Sequence, residues 1–239
     1  MPAELERICP FLSRDPIRYL DMTQPLARGT GTILDADEHG AAVRTTLTDG
    51  SSQYSLCADT ADRARQLVAL LPEDAGFVNW HEALSFPFLQ ARFGYPIANP
   101  CWQVGYPGPE PLPIPAHSYA IRTLDESFFA PVRAQYDLIG DDSLRLTLRR
   151  GELLGAFDGD TLAGFIGWHD DGTIGLLEVC PAYRRRGLAT LLESYITNAD
   201  LSRGYIPYGQ VFADNSASLA LQAALGYQRA KGPMYWPEF

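Results

Sequence analysis

The stretch Leu176–Leu192 constrains this chain more than any other. An apolar run of strand character, Leu176-Leu177-Glu178-Val179-Cys180, stops at Pro181, which cannot donate to a sheet ladder. Three arginines, Arg184, Arg185 and Arg186, lead into Gly187 and an apolar helical pattern from Leu188 onward. A strand must therefore pass through a short basic turn straight into a helix. The first amides of such a helix lack partners inside it and carry the positive end of its dipole, about half an elementary charge. A pyrophosphate satisfies both needs. Gly187 and Ala189 put little bulk between backbone and ligand, so Gly187, Leu188, Ala189 and Thr190 are the candidate phosphate-binding positions, with the arginines adding charge-assisted contacts at the rim.

Either side of this stretch the chain reads as alternating helices and short strands. The sharpest break in composition is Tyr106-Pro107-Gly108-Pro109-Glu110-Pro111-Leu112-Pro113-Ile114-Pro115, where recurring prolines forbid a helix and favour an extended connector. It predicts two domains, residues 1–106 and 118–239, joined by a linker over 107–117. In the first, helical patterning over Leu5–Leu12 and Pro16–Leu26 precedes strands at Thr32–Ala36, Ala41–Leu47 and Gln53–Ala58. A helix to Leu71, a strand at Phe77–Trp80, a helix at His81–Phe93 and a strand at Cys101–Tyr106 follow. In the second, a strand at Tyr119–Leu124 leads to helices from Asp125 to Leu138 and from Leu144 to Arg150, the latter closed by Gly151. Strands at Leu153–Phe157, Thr161–Trp168 and Thr173–Cys180 flank Asp-Gly turns. After the arginines come a helix at Leu188–Asn198, a strand at Tyr205–Phe212 and a helix at Ser216–Leu225. The fold class is α/β with a mixed sheet.

Charge and cysteine usage exclude several partners. A formal charge of −10 argues against a nucleic-acid or anionic-membrane surface and leans toward cationic, amine-bearing partners. Cys9, Cys57, Cys101 and Cys180 are scattered, with no Cys-x-x-Cys pair, so they read as free thiols and no metal is expected. No apolar stretch approaches the ~18 residues of a membrane span, and the first residues lack the basic start and apolar run of a signal peptide. A cytoplasmic protein is the expectation.

Arg184-x-x-Gly187-x-Ala189 after Val179-x-Pro181 resembles the pyrophosphate signature of the GNAT (GCN5-related N-acetyltransferase) superfamily. A second stretch, Asp214-Asn215-Ser216-Ala217-Ser218 through Leu225-Gly226-Tyr227, is similar to the family's last strand, its pantetheine-contacting asparagine and the helix behind it. The resemblance implies a GNAT fold over residues 118–239. It implies acetyl-CoA, or another acyl-CoA, as co-substrate, held at Arg184–Thr190, with Val179 and Cys180 offering main-chain groups to the pantetheine arm. Asn215 and Ser218 would sit beside that arm, although Asn215 also suits a helix N-cap. The longer pattern from Gly204 to Val211 with the closing Tyr235-Trp236 looks like the glycine N-acyltransferase-like branch, which would make residues 1–106 a smaller, degenerate GNAT-like α/β domain.

Acyl transfer to an amine requires a neutral amine, a positioned thioester and a route for the leaving thiolate. Glu178 is the first candidate base, on the strand that presents the thioester; it could equally pair with a nearby arginine. His169 is the second, with a suitable intrinsic pKa, but it falls beside the Asp170-Asp171-Gly172 turn. Many GNAT enzymes carry an acidic tyrosine on the last helix; Gln222 stands at that position here and cannot supply a proton, which leaves Tyr205, Tyr208, Tyr227 and Cys180 as substitutes. Trp80, His81, Phe86, Phe88 and Phe93 form either core or the lining of an acceptor pocket. The expected activity is acyl transfer to a small primary amine such as an amino acid. A catalytically weak acyl-CoA-binding regulator and a protein-directed acetyltransferase are the alternatives, and the oligomeric state is open.

Overall fold

A computed structural model describes residues 9–96 and 98–237. The chain folds into two compact units. One runs up to Gly105 and includes Gln210–Ala223 and the stretch from Tyr227; the other comprises Tyr106–Gly209 with Ala224–Gly226.

In the first unit, a 3-10 turn at Pro10–Arg14 precedes helix α1 (Leu20–Arg28), so the helix expected over Leu5–Leu12 lies outside the described residues up to Ile8 and is a 3-10 turn beyond them. Strands β1 (Gly31–Asp37), β2 (Gly40–Thr46) and β3 (Ser52–Ala58) form the expected antiparallel meander. Thr60 caps helix α2 (Ala61–Leu70), its side chain accepting from the Arg63 amide at 3.2 Å. Strand β4 (Phe77–Trp80) then pairs parallel with β3, an arrangement that the α2 crossover makes possible. Helix α3 (Phe86–Phe93) starts later than read, after a 3-10 turn at Ala83–Ser85, and β5 (Ala98–Gly105) closes this part of the chain.

The second unit holds an antiparallel sheet in the order β6 (Ala120–Thr123), β7 (Leu153–Asp158), β8 (Thr161–Trp168), β9 (Ile174–Val179). Helices α4 (Phe129–Arg133) and α5 (Asp141–Arg149) lie between β6 and β7 in sequence, and α6 (Leu188–Ser202) follows β9. The helix expected from Asp125 to Leu138 ends at Arg133, whose guanidinium turns onto the next loop. It donates to the carbonyls of Tyr136 at 2.9 Å and Ile139 at 2.6 Å and to Asp141 at 2.7 Å. One sheet face packs Ile166, Trp168 and Ile174 against Leu188, Leu191, Leu192 and Ile196 of α6. The other packs Phe157, Phe165 and Leu176 against Val132, Leu144 and Leu148 of α4 and α5.

The chain then enters β10 (Tyr208–Phe212), α7 (Ser216–Ala224), β11 (Gln228–Arg229) and β12 (Met234–Pro237). Strand β12 inserts between β4 and β5, pairing Tyr235 with Trp80 and Met234 with Cys101, and gives the first unit's sheet the order β1-β2-β3-β4-β12-β5-β10. The proline stretch marks where the chain leaves the first unit, but most of residues 210–239 group with the N-terminal sheet because their strands are hydrogen-bonded into it. Trp80 is fully buried and stacks on Phe86, Tyr95 and Tyr235 with centroids 5.7, 6.3 and 5.9 Å away, so the aromatic cluster is core. Among the described residues no helix is long and apolar enough to cross a membrane, and no group of three or more His, Cys, Asp or Glu could hold a metal ion.

Candidate active site

Strand β9 carries the first of the candidate residues. Its register against β8 sets Phe165 opposite Glu178 and Gly167 opposite Gly175, so Leu176 and Leu177 together face Ile166. This bulge carries Leu176 into the left-handed region at φ 52° and re-aims the residues beyond it. Leu177 and Val179 pack toward α6, whereas Leu176 and Phe165 belong to the core beneath α4 and α5. Glu178, lying between Leu177 and Val179 and cross-strand from Phe165, therefore takes the α4–α5 side. Tyr136 packs against the same core, and its phenol is pushed up to about 12, first by burial and then by the Glu178 charge. Arg184 stands 3.8 Å from Glu178, with 57% and 33% of the two side chains exposed, a contact worth little in water. The arginine contact foreseen for Glu178 is thus present, and it leaves the carboxylate partly exposed.

Strand β9 ends its sheet, so one edge carries unpaired main-chain groups. The Cys180 amide donates to the Ala163 carbonyl at 2.9 Å and its thiol to the Leu162 carbonyl at 3.4 Å, which commits Cys180 to β8. Because antiparallel pairing alternates, Val179, opposite Gly164, turns its amide toward the open edge, while its carbonyl on that side accepts from the Arg184 Nε–H at 3.0 Å. Of the two residues read as main-chain partners, Val179 is the one that faces outward.

The turn after β9 is a 3-10 segment, Pro181–Tyr183, followed by Arg185 at φ 62° and Gly187 at φ 77°. A non-glycine residue held left-handed costs roughly 1–2 kcal/mol, which the surrounding turn sustains. Helix α6 opens without a side-chain cap, and its first backbone bond runs from the Leu191 amide to the Gly187 carbonyl at 3.0 Å. The amides of Leu188, Ala189 and Thr190 precede that bond and have no partner within the helix. Leu188 is buried and anchors the turn, while Arg184, Arg185 and Arg186 are exposed. A cleft of about 430 Å³ lies against this turn, its second wall formed by Pro115–Tyr119 of the proline-rich stretch. That wall and Tyr136 were not foreseen from sequence.

The other candidates have their own local settings. His169 closes the β8–β9 turn, its amide donating to Thr173 and its carbonyl accepting from Gly172, both at 2.8 Å. Burial lowers its pKa, and its ring covers Gly175, where a Cβ would come within 2.2 Å of the imidazole. It sits at the opposite end of β9 from Val179, roughly 17 Å away at ~3.4 Å per residue. Asn215 and Ser218 belong to the first unit, where the Asn215 side-chain oxygen accepts from the Ser218 amide at 3.1 Å and caps α7. Gln222 is buried in that helix. Tyr208 donates its hydroxyl to the Asp171 carbonyl at 2.8 Å.

A strand thus runs through a cation-rimmed turn into a helix start without a side-chain cap, and comparison with known proteins gives the family. A family model described as FR47-like protein matches residues 153–236. N-alpha-acetyltransferase RimI of Mycobacterium tuberculosis is 31% identical over 124 residues, covering 46% of this chain and 77% of that protein. The chain belongs to the GCN5-related N-acetyltransferase superfamily and is an acetyltransferase, of a family that draws its acetyl group from acetyl-CoA. Solved structures share the fold. A Drosophila protein superposes with a TM-score of 0.64 at 21% identity, covering 84% of this chain and 74% of that one. A GCN5-related N-acetyltransferase from Kribbella flavida gives 0.56 at 12% identity, over 92% and 93%. A GCN5-related N-acetyltransferase-like protein from Streptococcus suis gives 0.54 at 15%, over 93% and 96%.

Proposed function

We propose that this chain transfers an acetyl or other short acyl group from acyl-CoA to the primary amine of a small molecule such as an amino acid. The observation that carries the cofactor half is the uncapped start of α6, where Gly187, Leu188 and Thr190 line a cleft of about 430 Å³ one short turn from Val179. The amides of Leu188, Ala189 and Thr190 hold the pyrophosphate, Arg184, Arg185 and Arg186 neutralise it, and the pantetheine arm lies along Val179 as an added strand. Cys180, with its amide committed to β8, contributes packing only.

Glu178 is the base. An alkyl amine of pKa about 10.4 must lose a proton at pH 7, a cost of roughly 4 to 5 kcal/mol that a carboxylate beside the thioester helps to meet. His169, at the far end of β9, has a structural role in the turn. Coenzyme A's thiol is acidic enough to leave as thiolate. Tyr136, held protonated and sharing the Glu178 side of the sheet, is the phenol best placed to return a proton. The similarity to the glycine N-acyltransferase-like branch supports an amino-acid acceptor.

The name of the M. tuberculosis relative, an N-alpha-acetyltransferase, supports a second reading, in which the acceptor is the α-amine of a protein. Free-thiol release from acetyl-CoA, measured against free amino acids, polyamines and short peptides with free N-termini, separates the two. Turnover confined to peptides would replace the small-molecule reading.

A further inference from the structure

The proline-rich stretch does more than connect two units: it is fastened along α6. Asn198 grips the backbone of Leu112 from both sides, its Oδ1 accepting from the amide at 2.7 Å and its Nδ2 donating to the carbonyl at 2.9 Å. One turn closer to the helix start, the Tyr195 hydroxyl lies 3.2 Å from the His117 Nε2, the two rings edge-on at 5.8 Å. Asn198, Tyr195 and Leu191 recur at spacings of three and four on a single helix face. The stretch thus follows that face toward the amides at Gly187–Thr190. Leu112 is buried under this grip, while Pro113–Ser118 stay exposed. Proline fixes φ in advance, so the segment loses little entropy in holding one extended form.

What it delivers is the second wall of the cleft beside the phosphate-binding amides, at Pro115–Tyr119. Val179, where the pantetheine arm runs, lies on one side of those amides, and this wall faces Arg186, Thr190 and Leu191. The part of acyl-CoA beyond the pyrophosphate and away from Val179 is the nucleotide. The His117 and Tyr119 rings offer flat faces to a purine, and Ser118 and Arg186 offer donors to a phosphate.

We propose that residues 112–119 form a positioning strap for the adenosine 3'-phosphate half of the cofactor, held in place by the Asn198–Leu112 and Tyr195–His117 contacts. The proposal rests on the acyl-CoA reading above. Asn198 acts through the strap and not on the ligand, so its removal should weaken nucleotide binding without changing the chemical step.

The test is calorimetric titration of the full chain with coenzyme A and with adenosine 3',5'-bisphosphate, in the wild type, Asn198→Ala and His117→Ala. His117 is exposed, so its variant stays informative should Asn198→Ala fold poorly. The wild type should bind both ligands. Each variant should lose about tenfold for both, the scale of one or two hydrogen bonds, with KM for acetyl-CoA rising and kcat unchanged. Wild-type affinity in both variants, or a loss for coenzyme A that spares the bisphosphate, would overturn the strap. A wild type that binds neither ligand would instead overturn the cofactor reading on which it rests.

Discussion

Arg184 donates its Nε–H to the carbonyl of Val179 at 3.0 Å, tying the first residue of the cationic turn to the last residue of β9. One side chain thereby couples the edge where a pantetheine arm would run to the turn where a pyrophosphate would sit. Arg184→Lys keeps the charge but loses the planar fork that serves both directions. It is expected to weaken acetyl-CoA binding by about tenfold, nearly as much as Arg184→Ala, whereas a purely electrostatic role would leave the lysine variant close to wild type. Calorimetry on the two variants distinguishes these outcomes.

Glu178 faces the α4–α5 side of the sheet across from Phe165. As the base it should contribute about 10²-fold or more to turnover. Glu178→Gln is expected to lower kcat by that factor while leaving acetyl-CoA affinity within about twofold, and to recover activity as pH rises and the amine deprotonates unaided. A variant with unchanged kcat would remove Glu178 from the mechanism.

The buried acids set an alkaline limit on stability. Burial pushes the Tyr95 and Tyr136 phenols from 10.0 to about 12, and the Cys101 thiol from 9.0 to about 12. Groups whose folded-state pKa is raised contribute their stability in full below the unfolded values and lose it as pH climbs toward the folded ones. Denaturant unfolding should therefore show a plateau up to about pH 9 and a steady decline toward about pH 12, shallower in a Tyr95→Phe, Tyr136→Phe double variant. A decline of wild-type steepness in that variant would contradict the assignment.

Asp21 and His81 form a fully buried pair in the first unit, with Oδ1 and Nε2 3.0 Å apart and 1% and 0% of their side chains exposed. Removing one partner strands the other away from water. His81→Ala is expected to cost about 3 kcal/mol or more in chemical unfolding. Asp62→Ala, which breaks an ion pair whose side chains are 84% and 66% exposed, should cost under about 0.5 kcal/mol. Similar small losses from both would show that the buried pair carries no special weight.

The strands around local turns were legible because their signals are local. The Asp158-Gly159-Asp160 turn between alternating apolar runs produces β7 and β8, and Gly159 takes the left-handed conformation at φ 60° that such a turn needs. The strand-turn-helix that ends β9 and starts α6 was legible for the same reason, since Pro181, the arginines and Gly187 are contiguous. Strand β12 was not: it is four residues long, ends on a proline, and its partners Trp80 and Cys101 lie more than 130 residues earlier. The face taken by Glu178 was hidden because alternation fails at the Leu176 bulge, which no residue type announces. Asn198 looked like any polar residue on a helix, and only the folded chain brings Leu112 to it.

Whether the start of α6 binds the pyrophosphate of acyl-CoA is decided by titration of acetyl-CoA into wild type and Gly187→Val. A Cβ at Gly187 would meet no atom of the protein within 4 Å, so a valine there intrudes chiefly into space left for ligand. Its φ of 77° adds strain of roughly 1–2 kcal/mol, which unfolding measurements on the same variant would register. The expected result is clear binding by the wild type and a loss of at least about tenfold in a folded Gly187→Val. Equal affinity in the two proteins, or no binding by the wild type, would contradict the account.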